Sequence, residues 1–377
     1  MDKENEFEKK IIEIHKHHRP VCIFGTGKMG TVIGYSYIQM LVSKGLKINF
    51  FCDNDRSKWG KEIKDGLICI SPSELYALDN PFVFLFISTK SSKPVEQQLK
   101  KENIEYITVY ELARLDFWVD IFLESGEVSP ISEPHILPSE YQIQPIGNPE
   151  NKQVAVYTCI CGGYDEVLEP LYINEQCDYY IITDRKPSET SKWKYIDIFD
   201  ILPSFELDNV RKNRFCKIHG CEIFLDYAYS IYIDGNMLLT GDVMQYVKTV
   251  GRSGIGMFRM PKEGGDCLYL HGVKMAGIKA PENVVRAQLR EYMRQGMPRH
   301  FGLYECNFIV RNNQNALTQK IMRDWWREVY EKSFRDQISF TYVLWKNGLT
   351  CDDVGCLGNN VREIGEISRT SHDIRTT

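Results

Sequence analysis

The chain has 377 residues, 43% of them hydrophobic and 26% charged, with 46 Lys and Arg against 51 Asp and Glu for a net charge of −5. The length exceeds one ordinary core and predicts two domains, and the mildly acidic balance gives no basic field for nucleic acid or an anionic bilayer. No apolar run reaches the roughly 18–20 residues of a membrane helix, and the charged start has no signal-peptide core, so the expected location is cytoplasmic, with peripheral membrane contact left open.

The first elements come early. An apolar strand at 21–24 runs into Gly25-x-Gly27-x-x-Gly30, a helix follows to about Ser43, and a strand over 47–52 ends at Asp53. Strand, glycine turn, helix, strand and acid in this order make the glycine pattern specific. The glycines allow a tight turn and close backbone approach, and the helix start offers N–H groups to a phosphate. Gly25, Gly27, Gly30 and Asp53 are therefore candidates to bind a nucleotide; the alternative is a scaffold with an empty or structural site. Strands at 66–70, 82–88 and 106–110, with a crossover helix at 92–103, complete a Rossmann-like domain within residues 1–128. It has no Ser…Tyr-x-x-x-Lys set for sugar epimerase or dehydratase chemistry. A helix over 111–125 caps it. Residues 129–152 hold five prolines and no apolar periodicity, which predicts a linker.

A second strand and helix series fills 153–360. A strand at 153–160 ends in a glycine turn, and another ends at Asp184. A helix capped by Asp208 precedes a third strand, "SIYIDGNMLL". Further strands fall at 254–260 and 304–312, with helices at about 281–296, 315–332 and 336–347. Residues 361–377 read as a polar tail. The twelve cysteines sit largely in apolar runs without a zinc spacing, which predicts free buried thiols.

The quoted strand places Asp234, Gly235 and Asn236 at its carboxyl end, where open α/β sheets bind ligands. Two oxygens one residue apart can hold Mn²⁺ or Mg²⁺ against a diphosphate, the logic of the Asp-x-Asp element of sugar-nucleotide enzymes; a plain turn is the alternative. Asn236 is a neutral amide and a weaker ligand than a second carboxylate, so a metal-free site assisted by arginines stays open. His271 is a further candidate metal ligand. Arg211, Arg214 and Lys217 share a helix face suited to phosphate oxygens. Glu305, or Asp336 with Gln337 at a helix start, are candidates for a base or for gripping hydroxyls. Of the adjacent Trp325 and Trp326, one is expected in the core and the other could offer a sugar platform.

Taken together, "YTCICGGYDEV", "YIITD", "RKNRFCKIHG", "SIYIDGNMLL", "QLREYMRQGMP", "GLYECNFIVRNN" and "MRDWWREVYEKSFRDQISFTYVLW" resemble the plant mucilage-related glycosyltransferase-like family, formerly a domain of unknown function, over about residues 153–347. The resemblance implies an α/β fold class, a C-terminal GT-A-like nucleotide-diphospho-sugar transferase domain behind the N-terminal Rossmann-like one, an arrangement like that of bacterial polysaccharide-biosynthesis enzymes. It implies that Tyr157, Thr158, Gly162 and Asp165 lie at the nucleotide pocket, with Asp184, Arg211, Arg214 and Lys217 as further donor-binding candidates. Asp234 and Asn236 would meet diphosphate and metal, and Asp336 and Gln337 the sugar or acceptor. The expected activity moves a sugar from a nucleotide-diphosphate donor to a carbohydrate or glycolipid acceptor, in capsule or lipopolysaccharide assembly. The rivals are an NAD-dependent sugar-modifying oxidoreductase run by the N-terminal domain and a non-catalytic nucleotide-sugar binder.

Overall fold

The computed structural model describes residues 2–27, 29–42, 45–87, 89–112, 115–124, 136–202, 206–260 and 265–369. Two units divide the chain: Met1–Val128 with Gly272–Lys279, and Ser129–His271 with Ala280–Thr377.

In the first unit the strands are β1 (Val21–Phe24), β2 (Phe50–Cys52), β3 (Glu62–Lys64), β4 (Leu67–Ile70), β5 (Phe82–Leu85) and β6 (Glu105–Thr108). They form one sheet in the order β3-β4-β2-β1-β5-β6, parallel throughout except for the β3/β4 pair. β1 and β5 are fully buried apolar runs, as central parallel strands covered on both faces must be. The helices are α1 (Asp2–Lys16), α2 (Tyr35–Val42), α3 (Pro72–Tyr76), α4 (Thr89–Lys101), α5 (Val109–Leu112) and α6 (Phe117–Glu124). Cys22, Phe24, Cys52, Leu75, Val83, Leu85 and Leu99 make one core. Trp118 packs edge-on to Tyr37, 4.9 Å between ring centres.

Three expectations shift here. β2 starts at Phe50 rather than Lys47, because the Asn49 side chain accepts the Val21 amide and ends the ladder. The strand expected through Tyr110 stops at Thr108, where the Thr108 hydroxyl caps a helical turn by accepting the Glu111 amide. The single capping helix is two, α5 and α6, with residues 113–114 outside the described residues.

The second unit carries β7 (Val154–Ile160), β8 (Cys177–Thr183), β9 (Lys194–Asp197), β10 (Tyr229–Ile233), β11 (Met237–Leu239), β12 (Ile255–Arg259), β13 (Tyr304–Asn312), β14 (Gly355–Cys356) and β15 (Ile367–Arg369). Seven of them form a sheet ordered β14-β12-β13-β10-β7-β8-β9. β10, β7, β8 and β9 run parallel, and β13 lies antiparallel to β10 and to β12. Its helices are α7 (Asn209–Ile218), α8 (Gly220–Ile223), α9 (Leu268–Met275, whose later residues group with the first unit), α10 (Glu282–Arg294), α11 (Ala316–Glu331) and α12 (Asp336–Lys346). One sheet face packs a core that includes Val156, Ile160, Ile181, Ile233, Phe258 and Phe308. The other meets α7, α8 and α11, where Tyr157, Phe224 and Phe215 pack ring to ring with their neighbours.

Both tryptophans of the pair are fully buried, so neither is a sugar platform. Trp326 meets Phe215 and His219 edge-on, and the Trp325 indole donates to the Asp336 carbonyl at 3.1 Å. The stretch expected as a linker is partly built into this unit. The Tyr141 hydroxyl lies 3.1 Å from His219 Nε2, and the Ile146 amide donates to Ile223 at 2.7 Å. Residues 125–135 lie outside the described residues. The expected polar tail also folds as far as Arg369, because β15 pairs antiparallel with β11 and Ile367 joins the core. Among the described residues no helix is long and apolar enough to cross a membrane. All twelve cysteines are free and ten are buried.

Candidate functional site

Three parallel strands end at one edge of the second sheet, and their loops converge. β7 runs into Gly162 and Gly163, which adopt positive φ of 65° and 67°. The Gly162 amide donates to Asp184 Oδ2 at 2.8 Å. A Cβ on Gly162 would lie 2.5 Å from the Asn209 side-chain nitrogen, and one on Gly163 2.5 Å from the Arg185 guanidinium. A Cβ on Gly235 would come 2.9 Å from Ile160 Cγ1 and 3.1 Å from Asp165 Oδ2. These glycines therefore let the loop after β7, Asp184, the start of α7 and the turn after β10 approach closely. Gly162, Asp165, Asp184 and Asp234 share this edge.

Tyr157 does not. It is fully buried, and its hydroxyl donates to the Cys216 and Lys217 carbonyls at 3.1 and 3.0 Å. It is a strut between β7 and α7, because it points from mid-strand to the helix face. Thr158 is buried in the same strand, one residue further on.

The charged side chains meet beside Asp234. Asp208 caps α7 by accepting the Arg211 amide at 2.8 Å. Buried Arg311 donates from Nη1 to the Tyr157 hydroxyl at 3.3 Å and from Nη2 to the Lys217 carbonyl, fixing the last turn of the helix. From that turn Lys217 Nζ reaches Asp336 Oδ2 at 2.7 Å and Asp234 Oδ1 at 3.3 Å, and lies 5.2 Å from the centre of the Tyr232 ring. Arg214 Nε is 3.3 Å from Asp336 Oδ2, and the Tyr232 hydroxyl donates to Asp234 Oδ1 at 3.0 Å. Arg335 joins through Gln337, whose side-chain oxygen accepts its guanidinium and whose nitrogen donates to the Tyr304 carbonyl at 3.2 Å. Lys217 and Asp336 are 3% and 2% exposed, while Asp234 is 29% exposed and faces solvent from above them.

Among these five side chains the cations Arg214, Lys217 and Arg335 outnumber Asp234 and Asp336, and Asp165 and Asp184 lie at the same strand edge. Burial alone would raise the Asp336 carboxyl, but the three cations together outweigh it and hold the group well below the ordinary carboxylate range. Burial pushes the Arg335 guanidinium down, and Arg214 adds to that. The Arg335 Nε is buried without a hydrogen-bond partner, while Arg214 Nε has Asp336 at ion-pair distance. Arginine donors suit phosphate oxygens.

The other candidates separate from this cluster. Arg211 pairs with Asp208 at 2.6 Å, so the basic helix face divides and only Arg214 and Lys217 meet Asp336. Glu305 accepts the Val361 amide at 3.1 Å and lies 3.6 Å from Arg362, so it ties down the segment leading to β15. Its neighbour Cys306 is the residue near Asp336 and Lys217. An irregularity in the β12/β13 pairing at this point interrupts the regular alternation of side chains. Burial raises the Glu305 carboxyl. His271 is buried on α9, and among the described residues it joins no group of three His, Cys, Asp or Glu ligand atoms.

The expected dication fits these residues poorly. Asp234 Oδ1 already takes an ammonium and a phenol, and Asn236 offers only a neutral amide. A dication on the same carboxylate would repel Lys217 by on the order of 4 kcal/mol per unit charge at about 4 Å and an effective dielectric of about 20. In the first unit, the carboxylate of Asp53 accepts the Thr26 amide and hydroxyl at 2.9 and 2.6 Å and the Asp55 amide at 3.0 Å. The glycines there serve close packing: a Cβ on Gly30 would lie 1.7 Å from the Gly25 carbonyl oxygen, whereas one on Gly27 meets nothing within 4 Å. Tyr232, Arg311 and Arg335 escaped the sequence reading. An arginine near the end of a strand, directly after Ile309 and Val310, was the one available sign.

A hollow of about 480 Å³ lies beside Cys177, Asp178 and Lys194, at the opposite edge of the parallel strands. Its Asp178 is taken up by Lys194 at 2.7 Å and by the Tyr227 hydroxyl at 2.6 Å.

Three solved structures are similar to part of the chain. The apo form of the bifunctional glycosyltransferase WbbM has 12% identity and a TM-score of 0.38 over 56% of this chain and 40% of its own. The apo glycosyltransferase GlyE of Streptococcus pneumoniae TIGR4 has 10% identity and a TM-score of 0.30 over 55% and 45%. Mouse xyloside xylosyltransferase 1, also apo, has 9% identity and a TM-score of 0.30 over 52% and 82%. The chain thus spans less than half of the first two. Among curated proteins none matches. The model of the TOD1/MUCI70 glycosyltransferase-like domain matches residues 145–352, more than half of the chain and all of β7 to α12, and the chain belongs to that family.

Proposed function

We propose that the second unit is a GT-A-like glycosyltransferase domain that moves a sugar from a nucleotide-diphosphate donor to a carbohydrate or glycolipid acceptor, in surface polysaccharide assembly in the cytoplasm. The observation that carries this reading is the cationic cluster at the carboxyl end of β10, beside the loop after β7. In the transfer, the bond from the anomeric carbon to the β-phosphate oxygen breaks and its electron pair stays on that oxygen. The acceptor hydroxyl oxygen forms the new bond, and its proton passes to a base or to water. Arg214 and Lys217 would bind the diphosphate and stabilise the charge it gains. Gly162, Asp165 and Asp184 would contact the nucleoside, and Asp234 would orient the sugar and the lysine. Asp336 is too firmly paired to take a proton; its role is to hold the cations. The first unit, a Rossmann-like parallel sheet, would serve as a scaffold or bind a nucleotide of its own.

The test is transfer from a panel of nucleotide sugars. Asp234→Ala abolishes transfer and keeps the circular dichroism spectrum; unchanged turnover discards the assigned site.

A further inference from the structure

We infer that Lys217 takes the place of a divalent cation: the donor diphosphate is held and neutralised by Lys217 with Arg214 and Arg335, and binding needs no metal. This rests on the donor-site reading. The geometry gives Asp234 an ammonium as its cationic partner, on the carboxylate that a metal would need. Lys217 Nζ is 3.3 Å from Asp234 Oδ1 and 2.7 Å from Asp336 Oδ2, and its side chain is 3% exposed. Tyr157 and Arg311 fix the helix turn that carries it, so the ammonium is positioned before any ligand arrives. Asp336 lies beneath it with 2% exposure, where it can hold the lysine but cannot reach solvent.

The charges favour an anion: Arg214, Lys217 and Arg335 gather at Asp336 and Asp234, and Asp234 is 29% exposed above them. A diphosphate arriving beside Asp234 would meet cations already held in place. Hard dications prefer several oxygen ligands, and this site offers one shared carboxylate and one amide. When the glycosidic electron pair departs on the β-phosphate oxygen, fixed cations already face it, as arginine and lysine clamps do in phosphoryl transfer.

The experiment measures binding of UDP, GDP, ADP and CDP to the full chain by calorimetry, in EDTA and then in Mn²⁺. At least one binds in EDTA, with an affinity that Mn²⁺ changes by less than about threefold. Lys217→Met weakens that affinity by about tenfold or more, the loss expected for one charge-assisted contact. Because Lys217→Met leaves Asp336 short of a partner, the double variant Lys217→Met with Asp336→Asn is measured beside it and shows the same loss. Binding that requires Mn²⁺ overturns the inference and leaves the donor site standing. Binding in EDTA that the double variant retains removes Lys217 from the role. No nucleoside diphosphate bound in either condition overturns the inference and the donor reading together.

Discussion

Both units place glycines after a first parallel strand and an acid at the end of a later one, yet the two acids fare differently. Asp53 is consumed by its own neighbourhood: Thr26, Asp55 and, at 3.5 Å, Lys58 take up its oxygens. Asp234 is met by the Tyr232 hydroxyl of its own strand and by Lys217 from α7, and through Lys217 it joins Asp336 from α12. In the first unit the acid closes a loop. In the second it crowns a set of cations that its own strand could not supply. A glycine turn and an acid therefore mark a strand edge, and the partners decide whether that edge can take a ligand.

The sharpest way to break this contrast is Asp336→Asn. It leaves Lys217, Arg214 and Arg335 buried with no full counter-charge below Asp234, and removing one partner of a buried ion pair costs about 3–5 kcal/mol. Urea unfolding followed by tryptophan fluorescence should show that loss. A change under about 1 kcal/mol would mean that the cluster is not stabilised by its central carboxylate. The double variant with Lys217→Met should recover part of the loss, since two removed partners leave less charge stranded than one.

Proton linkage comes next, and two acids of the second unit pull in opposite directions. Asp336 has a folded pKa below its ordinary 3.8, so its stabilisation is present above 3.8 and fades as pH falls toward the lower folded value. Glu305 has a folded pKa above its ordinary 4.5, so its contribution is present below 4.5 and is lost as pH rises through the folded value. Glu305→Gln keeps an acceptor for the Val361 amide. Relative to wild type, its melting temperature should therefore rise as pH climbs past 4.5, while the deficit of Asp336→Asn should shrink below 3.8. Parallel pH profiles for the two variants would contradict the opposite placements.

These placements show what the sequence could and could not disclose. Apolar runs such as "QVAVYTCI" and "CDYYIITD" announce parallel strands, because strands buried on both faces read as continuous hydrophobic stretches. Asp208 as the cap of α7 was legible from a local rule, since capping needs only neighbours. The meeting of Arg214, Lys217 and Asp336 was legible only as types of residue, because it joins helices more than a hundred residues apart. Helical spacing grouped Arg211 with them, yet Asp208 three residues earlier draws Arg211 away. Glu305 was a candidate base because simple alternation puts it on one side of the strand with Asn307. The irregularity in the pairing there, and the Val361 amide that Glu305 accepts, have no signature in an alternating pattern. Polar tail and linker were read from proline and charge, and such composition cannot register a β15 that docks on β11 or a Tyr141 that reaches His219.

The smallest effect is expected at Asp53, and it tests the comparison from the other side. Its carboxyl titrates below the ordinary value: burial would raise it, but the Thr26 hydroxyl and the Asp55 and Thr26 amides outweigh that. Asp53→Asn keeps one acceptor oxygen, so the Thr26 amide can remain paired while an added N–H₂ faces donors and finds no acceptor. That amounts to about 1 kcal/mol, the size of one ordinary hydrogen bond. The loss should appear in unfolding, with nucleoside diphosphate affinity unchanged, because in this reading Asp53 shapes a loop and binds no ligand. If Asp53→Asn instead abolished nucleotide binding while Lys217→Met left it intact, the roles would be reversed: the loop that looks closed would be the ligand site, and the exposed carboxylate above three cations would be the structural one.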